Sequence, residues 1–169
     1  TFVALRLHID TWRWQGVPFY LRTGKHLPRK LTRIVVTFRE PPVCFFRPFE
    51  ECGLQRNQLI IQLQPDEGFD LCFEVKDPDR PSSLRRQSLR FRYGETFGRL
   101  PAAYMTLVMD IVNGDQTLFV RTDEVARAWE LYSPLVGAET DIHPYPAGTW
   151  GPPSAERLPE KDGRQWVTA

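Results

Sequence analysis

The sequence predicts an α+β fold: a large, mainly antiparallel β-sheet with helices packed on one face. Three observations carry that prediction. Through the first two-thirds of the chain apolar and polar residues alternate with a period of two, the pattern of strands with one covered face. Alternation that clean favours antiparallel pairing over a parallel sheet buried on both sides. In the last third the apolar period changes to that of a helix, so strands come first and helices follow.

The first strand pattern places Val3, Leu5, Leu7 and Ile9 on one side and Ala4, Arg6 and His8 on the other. A second apolar run, Val17, Phe19 and Leu21, breaks at Gly24, where regular pairing should end and the backbone turn. Residues 33–39 align Ile34, Val36 and Phe38, and residues 58–64 align Leu59, Ile61 and Leu63. Residues 69–75 (Phe69, Leu71, Phe73, Val75) and 87–93 (Leu89, Phe91, Tyr93) repeat the pattern. Pro65-Asp66-Glu67-Gly68 is turn chemistry, so 58–64 and 69–75 should form a hairpin. Segments 40–56 and 76–86 read as irregular connections.

Helical periodicity begins after Pro101, which suits a first-turn position. Tyr104, Leu107, Val108, Ile111 and Val112 share one stripe, and Gly114 suits the C-terminal cap. A second helix should start at Thr122, capped by its hydroxyl, with Asp123 and Glu124 complementing the positive end of the dipole. Its stripe is Val125, Ala128, Trp129 and Tyr132, and Pro134 should kink or end it. Residues 143–159 are Pro-rich and should pack through aromatic side chains.

Composition bounds the function. With 169 residues, 41% hydrophobic and 25% charged, the chain is most simply one globular domain, residues 1–169. A net charge of +1 argues against broad electrostatic binding of nucleic acid. No run of about 18 apolar residues suggests a membrane span, and no signal-peptide pattern opens the chain. The chain starts at Thr1 without an initiator Met, which suggests an excised piece of a longer protein. Cys44, Cys52 and Cys72 lack metal-ligand spacing and read as reduced thiols in a cytoplasmic protein. His8, His26 and His143 likewise form no metal-spaced group.

Chemistry concentrates in residues 17–30. Arg22, Lys25, His26, Arg29 and Lys30 crowd around Gly24 at a strand end. Basic side chains so placed suit a small anion such as a sugar phosphate; by themselves they fit a solvated basic loop better. Trp12, Trp14, Trp129 and Trp150 read as core or interface anchors.

The segment Trp14-Gln15-Gly16-Val17-Pro18-Phe19-Tyr20-Leu21-Arg22-Thr23-Gly24-Lys25 resembles the W-x-G-V-P-F-x-L-R-x-G-K signature of the glucose-6-phosphate dehydrogenase family. Further matching blocks follow in the family's order: Gln64-Pro65-Asp66-Glu67, Ala103-Tyr104-Met105, the run from Gly114 to Glu124, Ala128-Trp129, and Pro144 to Pro152. They span nearly the whole chain but only the family's C-terminal domain. The resemblance implies that Lys25 and Lys30 contact glucose 6-phosphate. It places Gln64 near the substrate, where a turn residue bonding its own backbone is the other reading. Arg22 becomes either an anion or cofactor contact or half of an intramolecular salt bridge. The sheet is implied to pack against its copy in a homodimer.

No G-x-G-x-x-G opens a βαβ unit here, and the family's catalytic histidine motif does not occur. By resemblance both belong to an N-terminal dinucleotide-binding domain that the chain lacks. NADP is then expected mainly on that absent domain, with none expected in this fragment. Positions that hold a second, structural NADP in vertebrate members read Leu31, Val35, Gln62 and Arg90 here, although Arg22 and Trp166 remain. The resulting expectation is the C-terminal domain of an NADP-dependent enzyme that oxidises glucose 6-phosphate to 6-phosphogluconolactone in the pentose phosphate pathway. The isolated fragment should dimerise without catalysing. The alternative is a stand-alone, non-catalytic dimerisation or regulatory module.

Overall fold

Antiparallel pairing organises the strands in a computed structural model that describes residues 1–40, 55–80, 83–98, 102–138 and 141–168. Strands β1 (Phe2–Leu7) and β2 (Phe19–Gly24) make a two-stranded ladder running from Phe2↔Gly24 to Leu7↔Phe19. Strands β3 (Thr32–Thr37), β4 (Gln58–Gln64), β5 (Gly68–Lys76) and β6 (Leu84–Arg92) form a four-stranded sheet in chain order. With the helices described below, these antiparallel sheets make the α+β class expected from the sequence.

The register of the larger sheet lines up apolar residues from strand to strand. Ile34, Ile61, Phe69 and Phe91 form one row, and Val36, Leu59, Leu71 and Leu89 the next. Phe69 and Phe91 stack with ring centroids 5.3 Å apart. The opposite face is polar: Asp70 accepts from Arg90 Nε at 3.2 Å and from Arg92 Nη2 at 2.8 Å, while Arg86 donates to Gln58 at 2.7 Å. The expected 58–64/69–75 hairpin forms, with Gln62 opposite Gly68. Cys72 lies half-buried in β5 as a free thiol. Cys44, Cys52, Pro101 and most of the 40–56 connection lie outside the described residues.

Two boundaries differ from the sequence reading. The connection after β5 is shorter than 76–86, because β6 begins at Leu84. Asp77 shortens it by accepting from the Asp79 backbone N–H at 3.0 Å and pairing with Arg85 at 3.3 Å, so one carboxylate closes the turn. At its far end β6 stops at Arg92, and Tyr93–Phe97 turns into a short helix α1. There the Tyr93 N–H still donates to Glu67 O at 3.0 Å, and its ring meets Phe91 edge-on.

The chain divides into two compact units, Thr1–Gly98 with Pro144–Ala169, and Arg99–His143. The second holds α2 (Ala103–Asn113) and α3 (Thr122–Val136). Gly114 caps α2 in the left-handed region, φ 71°, as its position after the stripe suggested. The cap of α3 is not Thr122, which already lies inside the helix. Glu124 reaches back to accept from the Arg121 N–H at 3.1 Å, and a charged acceptor competes well for that orphan donor. Pro134 sits in the last turns without ending α3, which runs on to Val136. In the first unit, the tail after Pro144 adds α4 (Pro153–Glu156) and a 3-10 turn, Pro159–Asp162. No helix among the described residues is long and apolar enough to cross a membrane.

Candidate functional site

Gly24 closes β2 opposite Phe2, and its role is space rather than rotation. A Cβ there would lie 2.6 Å from Phe2 Cδ2. The turn comes two residues later, at His26, whose φ of 54° is in the left-handed region uncommon for a non-glycine residue. Three backbone groups around that bend are held from a distance. Lys25 N–H donates to Thr1 O at 2.9 Å, Tyr145 Oη–H donates to Lys25 O at 2.6 Å, and Gly148 N–H donates to His26 O at 2.8 Å. The Lys25 side chain itself is exposed.

Lys30 is exposed on the same connection, just before β3. Gln64 ends β4 directly opposite Thr32, so the β3–β4 ladder ties it to the backbone beside Lys30. Gln64 is also exposed, and its bond to Pro65 is cis. Among the described residues neither lysine ammonium has a hydrogen-bonded or ion-paired partner. The structure thus carries Lys25 and Lys30 on one connection and anchors Gln64 to its far end.

Arg22 is committed elsewhere. Its guanidinium donates to Glu156 at 3.0 Å and lies 4.4 Å from the Trp166 ring centroid and 5.1 Å from that of Trp150. Its side chain is 12% exposed, and burial lowers its pKa against the opposing pull of Glu156. The salt-bridge reading of Arg22 is therefore realised, with two tryptophans added.

Arg29 donates to Thr168 O at 3.1 Å and approaches Trp150, and Arg33 donates to Val167 O. Burial, then the charges of Arg29 and Arg22, lower the pKa of Arg33. Farther along β1 and β2, Asp162 accepts from Arg6 at 2.6 Å and from the Tyr20 hydroxyl. Burial first, then the bond to Asp162 and its charge, raise the Tyr20 phenol. Trp166 Nε1 donates to Ala155 O at 2.9 Å, tying the tail to itself. Of the tryptophans read as anchors, Trp14 meets Phe19 edge-on at 5.3 Å and Trp150 lies against Arg22, whereas Trp12 is fully exposed.

The tail packs through Tyr145 and Trp150 as expected, and its polar contacts are what sequence reasoning missed. Tyr145, Gly148, Glu156 and Asp162 clamp β1, β2 and the basic loop, yet each looks like an ordinary loop or surface residue. For Tyr145 and Gly148 the one signal was the Pro144–Pro152 block; Glu156 and Asp162 lie beyond it.

The described residues thus combine an antiparallel α+β fold with a basic loop whose backbone is pinned at Lys25 and His26. The chain belongs to the family described as glucose-6-phosphate dehydrogenase, C-terminal domain, which it matches over residues 1–167. It is 47% identical over 171 residues to glucose-6-phosphate 1-dehydrogenase of Mycolicibacterium smegmatis, covering 98% of this chain and 34% of that protein. The Treponema pallidum protein of the same name is 41% identical, with 98% and 33% covered. The crystal structure of glucose-6-phosphate 1-dehydrogenase from Mycobacterium avium aligns with a TM-score of 0.81 at 33% identity, over 99% of this chain and 35% of that one. A structure of glucose-6-phosphate dehydrogenase in complex with its substrate, glucose-6-phosphate, aligns at 0.84 with 28% identity and the same coverage. The chain spans about a third of the length of these relatives.

Proposed function

We propose that this chain is the substrate-side, C-terminal part of an NADP-dependent glucose-6-phosphate dehydrogenase. In the intact enzyme the C1 hydroxyl of glucose 6-phosphate gives its proton to a general base and its C1 hydride to NADP. The products are 6-phosphogluconolactone and NADPH, the entry step of the pentose phosphate pathway in the cytoplasm. The base and the dinucleotide site lie in an N-terminal domain that precedes the chain.

This chain's own residues bind and orient. Lys25 and Lys30 supply charge-assisted donors to the phosphate dianion and neighbouring hydroxyls, and Gln64 borders the sugar. The apolar face of the four-stranded sheet is covered by a second copy in a homodimer. The observation that carries the reading is the family match over residues 1–167, supported by two exposed lysines that have no partner among the described residues, on a connection whose backbone is held at Lys25 and His26. The test is an assay of the intact protein for NADP reduction on adding glucose 6-phosphate. Turnover dependent on both compounds is expected; none at any substrate concentration would overturn the reading in favour of a non-catalytic dimerisation or regulatory module.

A further inference from the structure

We propose that Tyr145 is a positioning residue for Lys25: its hydroxyl sets the backbone bend from which the lysine reaches its anionic ligand. The inference rests on the reading of Lys25 as a substrate contact and adds to it a residue 120 positions away along the chain.

A lysine ammonium rides on a four-carbon stem, so the volume it samples is set by where the backbone aims its Cα–Cβ bond. At Lys25 that aim depends on a bend whose next residue, His26, has a φ of 54°, a conformation the local chain does not favour by itself. The tail supplies the constraint through two bonds to consecutive carbonyls, Tyr145 Oη–H to Lys25 O at 2.6 Å and Gly148 N–H to His26 O at 2.8 Å. The Tyr145 hydroxyl also lies 3.2 Å from Thr1 O, the acceptor of the Lys25 N–H, so one phenol joins both sides of the bend.

Tyr145 is itself held. Its ring meets Phe2 edge-on with centroids 5.4 Å apart, and the Phe2 ring fills the space left by two glycines. A Cβ would come within 2.6 Å of Phe2 at Gly24 and 2.5 Å at Gly151. Phe2 therefore locks β2 to the tail, and the lock places the hydroxyl before any ligand arrives. A positioning role of this kind raises affinity by reducing the freedom lost on binding, with no new contact to the ligand.

Tyr145→Phe in the intact enzyme keeps the ring against Phe2 and removes only the hydroxyl. The KM for glucose 6-phosphate should rise about threefold to tenfold, the equivalent of one hydrogen bond, while the KM for NADP stays unchanged. In a Lys25→Ala background the same substitution should add almost nothing, because the two residues act through one group. Equal rises in both KM values, or an undiminished effect in the Lys25→Ala background, would make Tyr145 a general structural residue and overturn the proposal. So would an unchanged KM in Tyr145→Phe when Lys25→Ala raises it. If Lys25→Ala leaves the KM unchanged, the substrate assignment of Lys25 fails and the proposal falls with it.

Discussion

Arg22 shows how much of a side chain's role depends on partners far away in sequence. Its place in the signature made it either an anion contact or half of a salt bridge, and local sequence could not choose between them. Glu156, Trp150 and Trp166, all distant in sequence, enclose the guanidinium and supply the salt bridge. Replacing Arg22 by Ala removes a largely buried ion pair and uncovers two aromatic faces. The cost should be about 1–2 kcal/mol, kept modest because Glu156 is 44% exposed and can turn to water. Arg22→Lys should recover only part of it, since an ammonium cannot stack its plane on both indoles. Urea denaturation of the two variants checks both statements. Lys25 and Lys30 are exposed and local, so a motif sufficed to propose them as substrate contacts. The tail's hydrogen bonds fall on the backbone of Lys25 and His26, so Lys30→Ala should raise the KM for glucose 6-phosphate less than Lys25→Ala does.

At the scale of elements, strand identity was readable because a period of two survives in each strand, and the hairpin because Pro65-Asp66-Glu67-Gly68 is turn chemistry. Ends were less readable. Tyr93 fits the alternation of β6 but begins α1, and Thr122 has cap chemistry although the longer Glu124 side chain reaches the free N–H instead. Cross-strand ion pairs escaped the sequence because they depend on register. Asp70 faces Arg90 across the β5–β6 ladder. Burial works to raise the Asp70 pKa, but hydrogen bonds and charge from Arg92 and Arg90 outweigh it and hold the carboxyl below its ordinary range. A carboxylate with a depressed folded pKa stabilises the fold above its unfolded pKa, about 4, and that contribution disappears as pH falls through the folded value. Asp70→Asn should therefore cost about 1–3 kcal/mol at neutral pH, and its deficit should shrink as pH is lowered below about 4. Melting curves of both proteins across that range test the sign.

For the whole molecule, the conspicuous property is how much apolar surface stays open. Among the described residues Ala155, 8% exposed, and Pro159 are buried, while Ile34, Phe69 and Leu89 on one sheet face are 51%, 42% and 62% exposed. The helical stripe is open too, with Tyr104 80% exposed. Patterning announced these faces but could not say what covers them. An open apolar face of this kind is the surface that the proposed homodimer would cover. The chain alone should elute with about twice its 19.7 kDa mass in size-exclusion chromatography with light scattering, and it should not turn over glucose 6-phosphate. A monomer at all concentrations would remove the sheet as a dimer surface, and steady turnover would place the base and cofactor site within this chain.

On the proposed reading, the Lys25 loop receives the sugar phosphate while the cofactor binds elsewhere. Steady-state kinetics of the intact enzyme with Lys25→Ala separates the two sites. Loss of one charge-assisted contact should raise the KM for glucose 6-phosphate by roughly tenfold to a hundredfold and leave the KM for NADP and the melting temperature nearly unchanged. An unchanged KM for glucose 6-phosphate, or a shift confined to NADP, would contradict it.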